Sequence, residues 1–128
     1  MSNMSRRDGR EKSFQILFSV DREDFNVEQA MEYILKEEPD KFIVTLVNGV
    51  VRDLDKIDKK IENHLENWSM NRLPTVEKTL LRIATFEMFD ELKTPKGVAI
   101  NEAIELAHIY GDEKSGQFIN GVLAKMNQ

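Results

Sequence analysis

The stretch Val98–Met126, VAINEAIELAHIYGDEKSGQFINGVLAKM, decides the fold that we predict for this chain. Its first half predicts a helix from about Val98 to Tyr110. At 100° per residue the apolar side chains of this half fall within an arc of roughly 160°, with polar residues opposite. Those apolar residues are Ala99, Ile100, Ala103, Ile104, Leu106, Ala107 and Tyr110.

The second half of the stretch predicts another helix after a short polar loop. We expect Gly111 to end the first helix with a positive φ, and Asp112 or Ser115 to cap the second. Gly121 lies within the second helix, where glycine is unfavourable. It therefore suggests a close approach of two helices, with plain tolerance as the alternative. The residues expected to be buried are Phe118, Ile119, Val122, Leu123 and Met126.

Helical spacing continues through the rest of the chain. Apolar residues at steps of three and four predict helices at about 5–20, 27–37 and 40–65, the last broken near Asp53–Asp55, where an aspartate can cap a new helix. Asn26 with Gln29 resembles a capping box. No stretch shows the alternation typical of strands. The sequence therefore predicts an all-α fold with about six or seven helices.

The middle of the chain carries its only tryptophan and an unusual glutamate. Trp68 lies in the connector 67–75, where we expect it to plug a joint between helices; stacking on a base is the alternative. The next helix, from about Pro74 to Asp90, is apolar nearly all round and should lie at the centre of the core. Glu87 falls inside its apolar arc. Because an unpaired buried carboxylate is costly, we expect Glu87 to have a donor partner.

Composition excludes several functional classes. A chain of 128 residues fits one domain. It has no cysteine and only two histidines, so neither disulfides nor a metal site is expected. There is no signal-like apolar segment and no apolar run of the roughly 18 residues that span a bilayer, so we expect a cytoplasmic protein without membrane contact. We find no nucleophile with a nearby base and no cofactor motif, so we do not expect an enzyme.

Charge restricts any nucleic-acid site to a local patch. The net charge is −5, which argues against general coating of nucleic acid. Arg6, Arg7 and Arg10 nevertheless crowd the start of the first helix, where cations oppose the helix dipole. This cluster is either a solvated basic end, partly neutralised by Asp8 and Glu11, or an arm that binds phosphates.

Three motifs in this order resemble those of one family across nearly the whole chain. They are RRDGRE at 6–11, VEKTLLRIATFE at 76–87, and the pair VAINEAIELA at 98–107 and FINGVL at 118–123. Together they resemble the NusB family of bacterial transcription antitermination factors. The resemblance implies two small packed helical bundles, which we place at about 5–66 and 67–128.

The resemblance also implies a function and partners. Family members bind boxA, a single-stranded RNA element of ribosomal-RNA leaders, together with NusE, which is also a small-subunit ribosomal protein. The complex helps RNA polymerase to read through terminators. By motif position, Arg6, Arg7 and Arg10 would form the RNA-binding arm. Tyr110 and Phe118 would lie near the RNA.

Two further positions match residues associated with partner or RNA contact, namely Phe18 and Glu77. The chain departs from the family pattern at two places. Asp8 interrupts the basic arm, which predicts weak binding of free RNA. Lys114 lies in a loop where the family often has acids.

Two other interpretations remain open at this point. The chain could be a relative of the helical RNA-binding module that is fused to an RNA cytosine methyltransferase, although no catalytic domain follows before Gln128. It could also be a helical protein–protein adaptor in which the arginines are only solvated. Salt-dependent RNA binding separates this last interpretation from the first.

Overall fold

The computed structural model describes residues 4–23, 26–36, 38, 40–90 and 92–127, without the side chains of residues 22 and 23. These residues form seven α-helices and one 3₁₀ turn, and no strand occurs among them. The helices are α1 (Arg6–Glu23), α2 (Val27–Ile34), α3 (Lys41–Arg52), α4 (Leu54–Glu62), α5 (Thr75–Phe89), α6 (Lys96–Tyr110) and α7 (Ser115–Leu123), with the 3₁₀ turn at Met70–Arg72. The predicted all-α fold is confirmed. None of the described helices is long and apolar enough to cross a membrane.

Helix α5 is the centre of the molecule, as its apolar sequence predicts. It packs against α1, α3, α4, α6 and α7. Helices α3 and α5 are in close contact where a Cβ on Gly49 would collide with the ring of Phe86. Glycine at this position lets the two helices meet, and the sequence did not reveal it. The two predicted bundles, at about 5–66 and 67–128, stay a prediction.

The predicted break between α3 and α4 is confirmed, but its cause differs. Asp53 separates the two helices and makes no capping hydrogen bond with its side chain to α4. Its carboxylate instead accepts hydrogen bonds from Arg52, at 3.1 Å from Nε and 3.0 Å from Nη2. The hydrogen bonds from Arg52, and then the one with Asp90, lower the pKa of Asp53 to about 2.

The predicted start of α2 is confirmed, but its predicted end is wrong. Asn26 and Gln29 form the predicted capping box, with the Gln29 N–H 2.8 Å from Asn26 Oδ1. The helix ends at Ile34, before the predicted end at Glu37, because Leu35 takes extended backbone with φ −95° and ψ 124°. Glu37 itself lies outside the described residues.

The C-terminal pair corrects two expectations about glycine. Gly111 ends α6 in extended backbone, with φ −105° and ψ −163°, so the predicted positive φ is wrong. A Cβ there would lie 2.5 Å from Ser115 Oγ, so close packing requires the glycine instead. Gly121 is exposed, and a Cβ placed on it would meet no packing neighbour within 4 Å. The glycine is therefore tolerated in the helix and is not required by contact with another helix. Phe118 is only half-buried; the other four residues predicted to be buried are buried.

Candidate nucleic-acid interface

The start of α1 presents two exposed arginines. The guanidinium of Arg6 lies over the ring of Phe42, 4.4 Å from its centroid. Arg7 makes a two-point ion pair with Glu102 of α6, at 3.1 Å from Nε and 2.8 Å from Nη2. The side chain of Arg7 remains 66% exposed, whereas that of Glu102 is 14% exposed. Hydrogen bonding from Arg7 lowers the pKa of Glu102, which keeps this carboxylate ionised beside the arm.

The third arginine of the motif lies in the interior. Arg10 is 7% exposed, and its Nε lies 3.0 and 2.8 Å from the two carboxylate oxygens of Glu87. Thr94 donates a further hydrogen bond of 2.8 Å to the same carboxylate. The expectation that Glu87 is buried and paired is confirmed. Because its guanidinium is held in this pair, Arg10 fixes α1 to α5; its contact with RNA stays a prediction.

The acids that face the arginines are not the ones that the sequence suggested. Glu11 was expected to neutralise the cluster, but its carboxylate accepts a hydrogen bond of 2.6 Å from Tyr110. Asp8 is exposed, and its backbone N–H bonds to Ser5 at the start of α1. The paired acids come from α5 and α6, far along the chain. Spacing within α1 could not reveal them.

Tyr110 and Phe18 lie on either side of one buried ring. The ring of Phe14 is 4.7 Å from that of Tyr110 and 5.6 Å from that of Phe18, and both outer rings are half-buried. Gln15 donates a hydrogen bond of 2.8 Å to the Tyr110 hydroxyl. Burial, and then the hydrogen bond to Glu11, raises the pKa of Tyr110. This cluster places Tyr110, the last residue of α6, against α1.

A groove lies beside α5 and the start of α7, and we name it the Trp68 groove. It has a volume of about 430 Å³. Trp68 is 47% exposed and meets the ring of Phe118 edge-on, at 6.3 Å between centroids. The expectation that this indole plugs a joint between helices is therefore wrong. The residues lining the groove are Trp68, Leu73, Pro74, Glu77, Asp112, Lys114, Gln117 and Phe118.

Ser115 orders the acidic side of the groove. Its hydroxyl lies 3.0 Å from Glu77 Oε2 and 3.2 Å from Asp112 Oδ1. Asp112 also accepts a hydrogen bond of 2.9 Å from the backbone N–H of Lys114. That bond, followed by the one with Ser115, lowers the pKa of Asp112. Glu77 and Phe118 thus share one surface, whereas Phe18 and Tyr110 share another.

Helix α6 connects the arm with the groove. Glu102 contacts Arg7 in the middle of α6, and the loop after Tyr110 leads directly to Lys114. Eight residues of helix separate Glu102 from Tyr110, a distance of about 12 Å. Within the described ranges, no group of three or more histidine or acidic side chains could hold a metal ion.

The sequence missed two residues of this surface. Glu102 was assigned only to the polar arc of α6, and its partner could not be inferred without the packing of α1. Trp68 was expected to plug a joint between helices, with stacking on a base only as the alternative, although its polar neighbours Asn67 and Ser69 are equally compatible with exposure. A tryptophan in a polar connector was the available signal.

Comparisons with known proteins place the chain in one family. The model of the NusB family matches residues 7–128. The transcription antitermination protein NusB of Oceanobacillus iheyensis is 48% identical over 124 residues, which cover 96% of this chain and 98% of that protein. The protein of the same name from Bacillus subtilis is 44% identical over 124 residues, with 96% and 95% covered.

Solved structures agree with these sequence relatives. NusB of T. maritima superposes with a TM-score of 0.88 at 40% identity, covering 97% of this chain and 91% of that one. A chain from a structure of the antitermination factors NusB and NusE in complex with double-stranded RNA has a TM-score of 0.82 at 31% identity, covering 93% and 92%. The family match over residues 7–128, with these relatives, shows that the chain belongs to the NusB family.

Proposed function

We propose that this protein is a transcription antitermination factor. It binds the single-stranded boxA element of ribosomal-RNA leaders together with a NusE-type ribosomal protein. The observation that carries the proposal is the match, over nearly the whole chain, to relatives named as antitermination proteins. A solved assembly of NusB with NusE and double-stranded RNA, whose chain shares this fold over 93% of the present one, supports the NusE-type partner and the binding of RNA.

The charge distribution explains why a partner is needed. The body carries a net charge of −5, and of the three motif arginines only Arg6 and Arg7 are exposed. A few phosphate contacts give weak, non-specific binding, in the range of about 10⁻⁴–10⁻⁶ M at physiological salt. A basic protein docked on the helical body would add contacts to the same strand without a second association cost. The two proteins together would then hold the RNA far more tightly than this chain alone.

We assign the site residues as follows within this proposal. Arg6 and Arg7 contact RNA phosphates, and Arg10 acts as a positioning residue through its pair with Glu87. This assignment is supported by the exposure of the first two and by the burial of Arg10.

The aromatic and acidic positions complete the assignment. Tyr110 and Phe118 lie near the bound strand, and both rings are partly open to solvent. Phe18 and Glu77 serve contact with the NusE-type partner. Because Glu77 borders the groove that contains Phe118, the partner would approach the RNA there.

The proposed role is that of a binding subunit and requires no catalysis by this chain. The complex with RNA and the NusE-type protein would join the antitermination complex on RNA polymerase in the cytoplasm. RNA polymerase would then read through terminators in ribosomal-RNA operons.

The test is fluorescence anisotropy of a labelled boxA strand, with and without the NusE-type protein. We expect the partner to raise the affinity for boxA by at least about tenfold, or 1.4 kcal/mol, and not for a scrambled strand. By linkage, boxA should tighten the protein–protein pair by the same factor. A Glu77→Lys variant should reduce the coupling and keep the melting behaviour. Equal affinity for both strands, with or without the partner, would leave the adaptor interpretation in place.

A further inference from the structure

The Trp68 groove contains a large aromatic side chain that the fold leaves about half exposed. Trp68 is 47% exposed, and its ring meets that of Phe118 at an interplanar angle of 69°. Tryptophan is highly buried on average, because its apolar area is large. Trp68 is also absent from the three motifs that carry the family resemblance, so its exposure is a feature of the structure and not of those motifs.

The lining of the groove combines an apolar floor with a polar rim. Leu73, 5% exposed, and Pro74 form apolar walls beside the indole. The rim contains two carboxylates, one amide and one ammonium, from Glu77, Asp112, Gln117 and Lys114. Carboxylates accept hydrogen bonds from the amino groups of bases, an amide both donates and accepts, and an ammonium can approach a phosphate.

This combination fits a nucleobase better than an apolar side chain of a protein. Single-stranded RNA is recognised by bases that stack on aromatic side chains and are read along their hydrogen-bonding edges. An apolar protein side chain would use the walls but make no hydrogen bond to the polar groups of the rim, whereas a base can do both. Phe118 itself lines the groove, and Asp112 of the groove follows the end of α6, the helix whose Glu102 pairs with Arg7.

We propose that one unstacked base of the bound RNA stacks on the exposed face of Trp68, with Phe118 at its edge and Lys114 beside the adjoining phosphate. This inference rests on the proposed function, because it specifies where boxA RNA is held. The polar rim should also make the site prefer some bases over others. Glu77 and Asp112, both ordered by Ser115, favour a base that carries an amino group, namely adenine, cytosine or guanine.

The first experiment uses the fact that Trp68 is the only tryptophan. The protein is labelled with 5-fluorotryptophan, so that its ¹⁹F spectrum contains a single resonance from this site. We expect boxA RNA, added to the complex with the NusE-type protein, to shift that resonance in proportion to binding. A series of strands with one abasic position each should identify a single nucleotide whose removal abolishes the shift.

The same spectrum distinguishes a base from a protein as the occupant. The NusE-type protein alone, which is proposed to contact Glu77 at the rim, should shift the resonance only in part, and boxA should then move it further. If that protein alone produces the full shift and RNA adds nothing, the groove binds protein and the proposal is overturned. If bound boxA leaves the resonance unmoved, the proposal is also overturned.

Variants provide the second experiment. Loss of one stacked base costs about 1–3 kcal/mol, so Trp68→Ala should weaken boxA binding by roughly 5- to 150-fold. The slope of log affinity against log salt should not change, because no charge is removed. Trp68→Phe should retain most of the affinity and serves as the folded control for the alanine variant.

A matched control is Tyr33→Ala, since Tyr33 is an aromatic residue on α2 that is 75% exposed and does not line the groove. It should leave boxA affinity unchanged. If the wild-type protein binds boxA selectively but Trp68→Ala binds equally well, the stacking proposal fails and the proposed function stands. If the wild-type protein with its partner does not distinguish boxA from a scrambled strand, the proposed function fails as well.

Discussion

Replacing Glu87 by alanine should strongly destabilise the protein, because it leaves Arg10 buried without its main partner. The two side chains are 1% and 9% exposed, and three contacts of 2.8–3.0 Å join them. Breaking a buried pair by removing one partner costs about 3–5 kcal/mol. Glu102 lies 3.7 Å from Arg10 and would keep part of the charge compensated. We therefore expect a loss near the lower end, about 3 kcal/mol.

The assay is urea unfolding followed by circular dichroism. A domain of this size is expected to unfold in two states, with a slope of about 1–3 kcal/mol per molar urea. The midpoint should therefore fall by about 1–3 M for Glu87→Ala. Glu113→Ala, at an exposed position after α6, is the matched control and should leave the midpoint unchanged.

A double variant tests whether the loss arises from the ion pair. Exchanging both members for apolar residues, as Arg10→Met with Glu87→Leu, should cost less than the sum of the single changes, because no charge is left unpaired. The reasoning is refuted if Glu87→Ala unfolds at the same urea concentration as the wild type. Strictly additive single and double variants would also refute it, since the two side chains would then act independently.

Three further outcomes are expected. Replacing both Arg6 and Arg7 by alanine should reduce the steepness of the salt dependence of boxA binding by about 1.4, at about 0.7 per lost phosphate contact, as read from anisotropy at several salt concentrations. Glu102→Gln should raise boxA affinity by up to about fivefold in the same assay, the scale of a screened surface ion pair, because it releases Arg7. Gly121→Ala should stabilise the protein by about 0.5–1 kcal/mol in urea unfolding, whereas Gly49→Ala should destabilise it, since only the second position is in close contact.

Features that depend on neighbours along the chain could be predicted from the sequence. The spacing of apolar residues gave the helices, and the pairing of Asn26 with Gln29 gave the start of α2. The burial of Glu87 followed from its place in an apolar arc, because a helix fixes the direction of each side chain. These predictions need only the geometry of one helix.

Features that depend on residues far apart could not be predicted in the same way. Glu87 required a donor, but the sequence did not show that the donor is Arg10, which lies 77 positions earlier. The backbone of Gly111 was wrongly predicted because the common positive-φ ending of a helix was assumed. The structure shows that contact with Ser115 decides the residue there. In each case the packing of two elements supplied the missing information.

The same long-range contacts reduce the capacity of the three motif arginines, Arg6, Arg7 and Arg10, to bind phosphates. Arg10 is committed to α5, and Arg7 is held by Glu102, so only Arg6 among the three motif arginines is exposed without a carboxylate bonded to it in the described structure. A phosphate that binds Arg7 must first compete with an ionised carboxylate. Binding of RNA by this chain alone is therefore opposed by its own α6. Within the proposed function, a basic partner that supplies further phosphate contacts would overcome this competition, so tight RNA binding would depend on assembly of the complex.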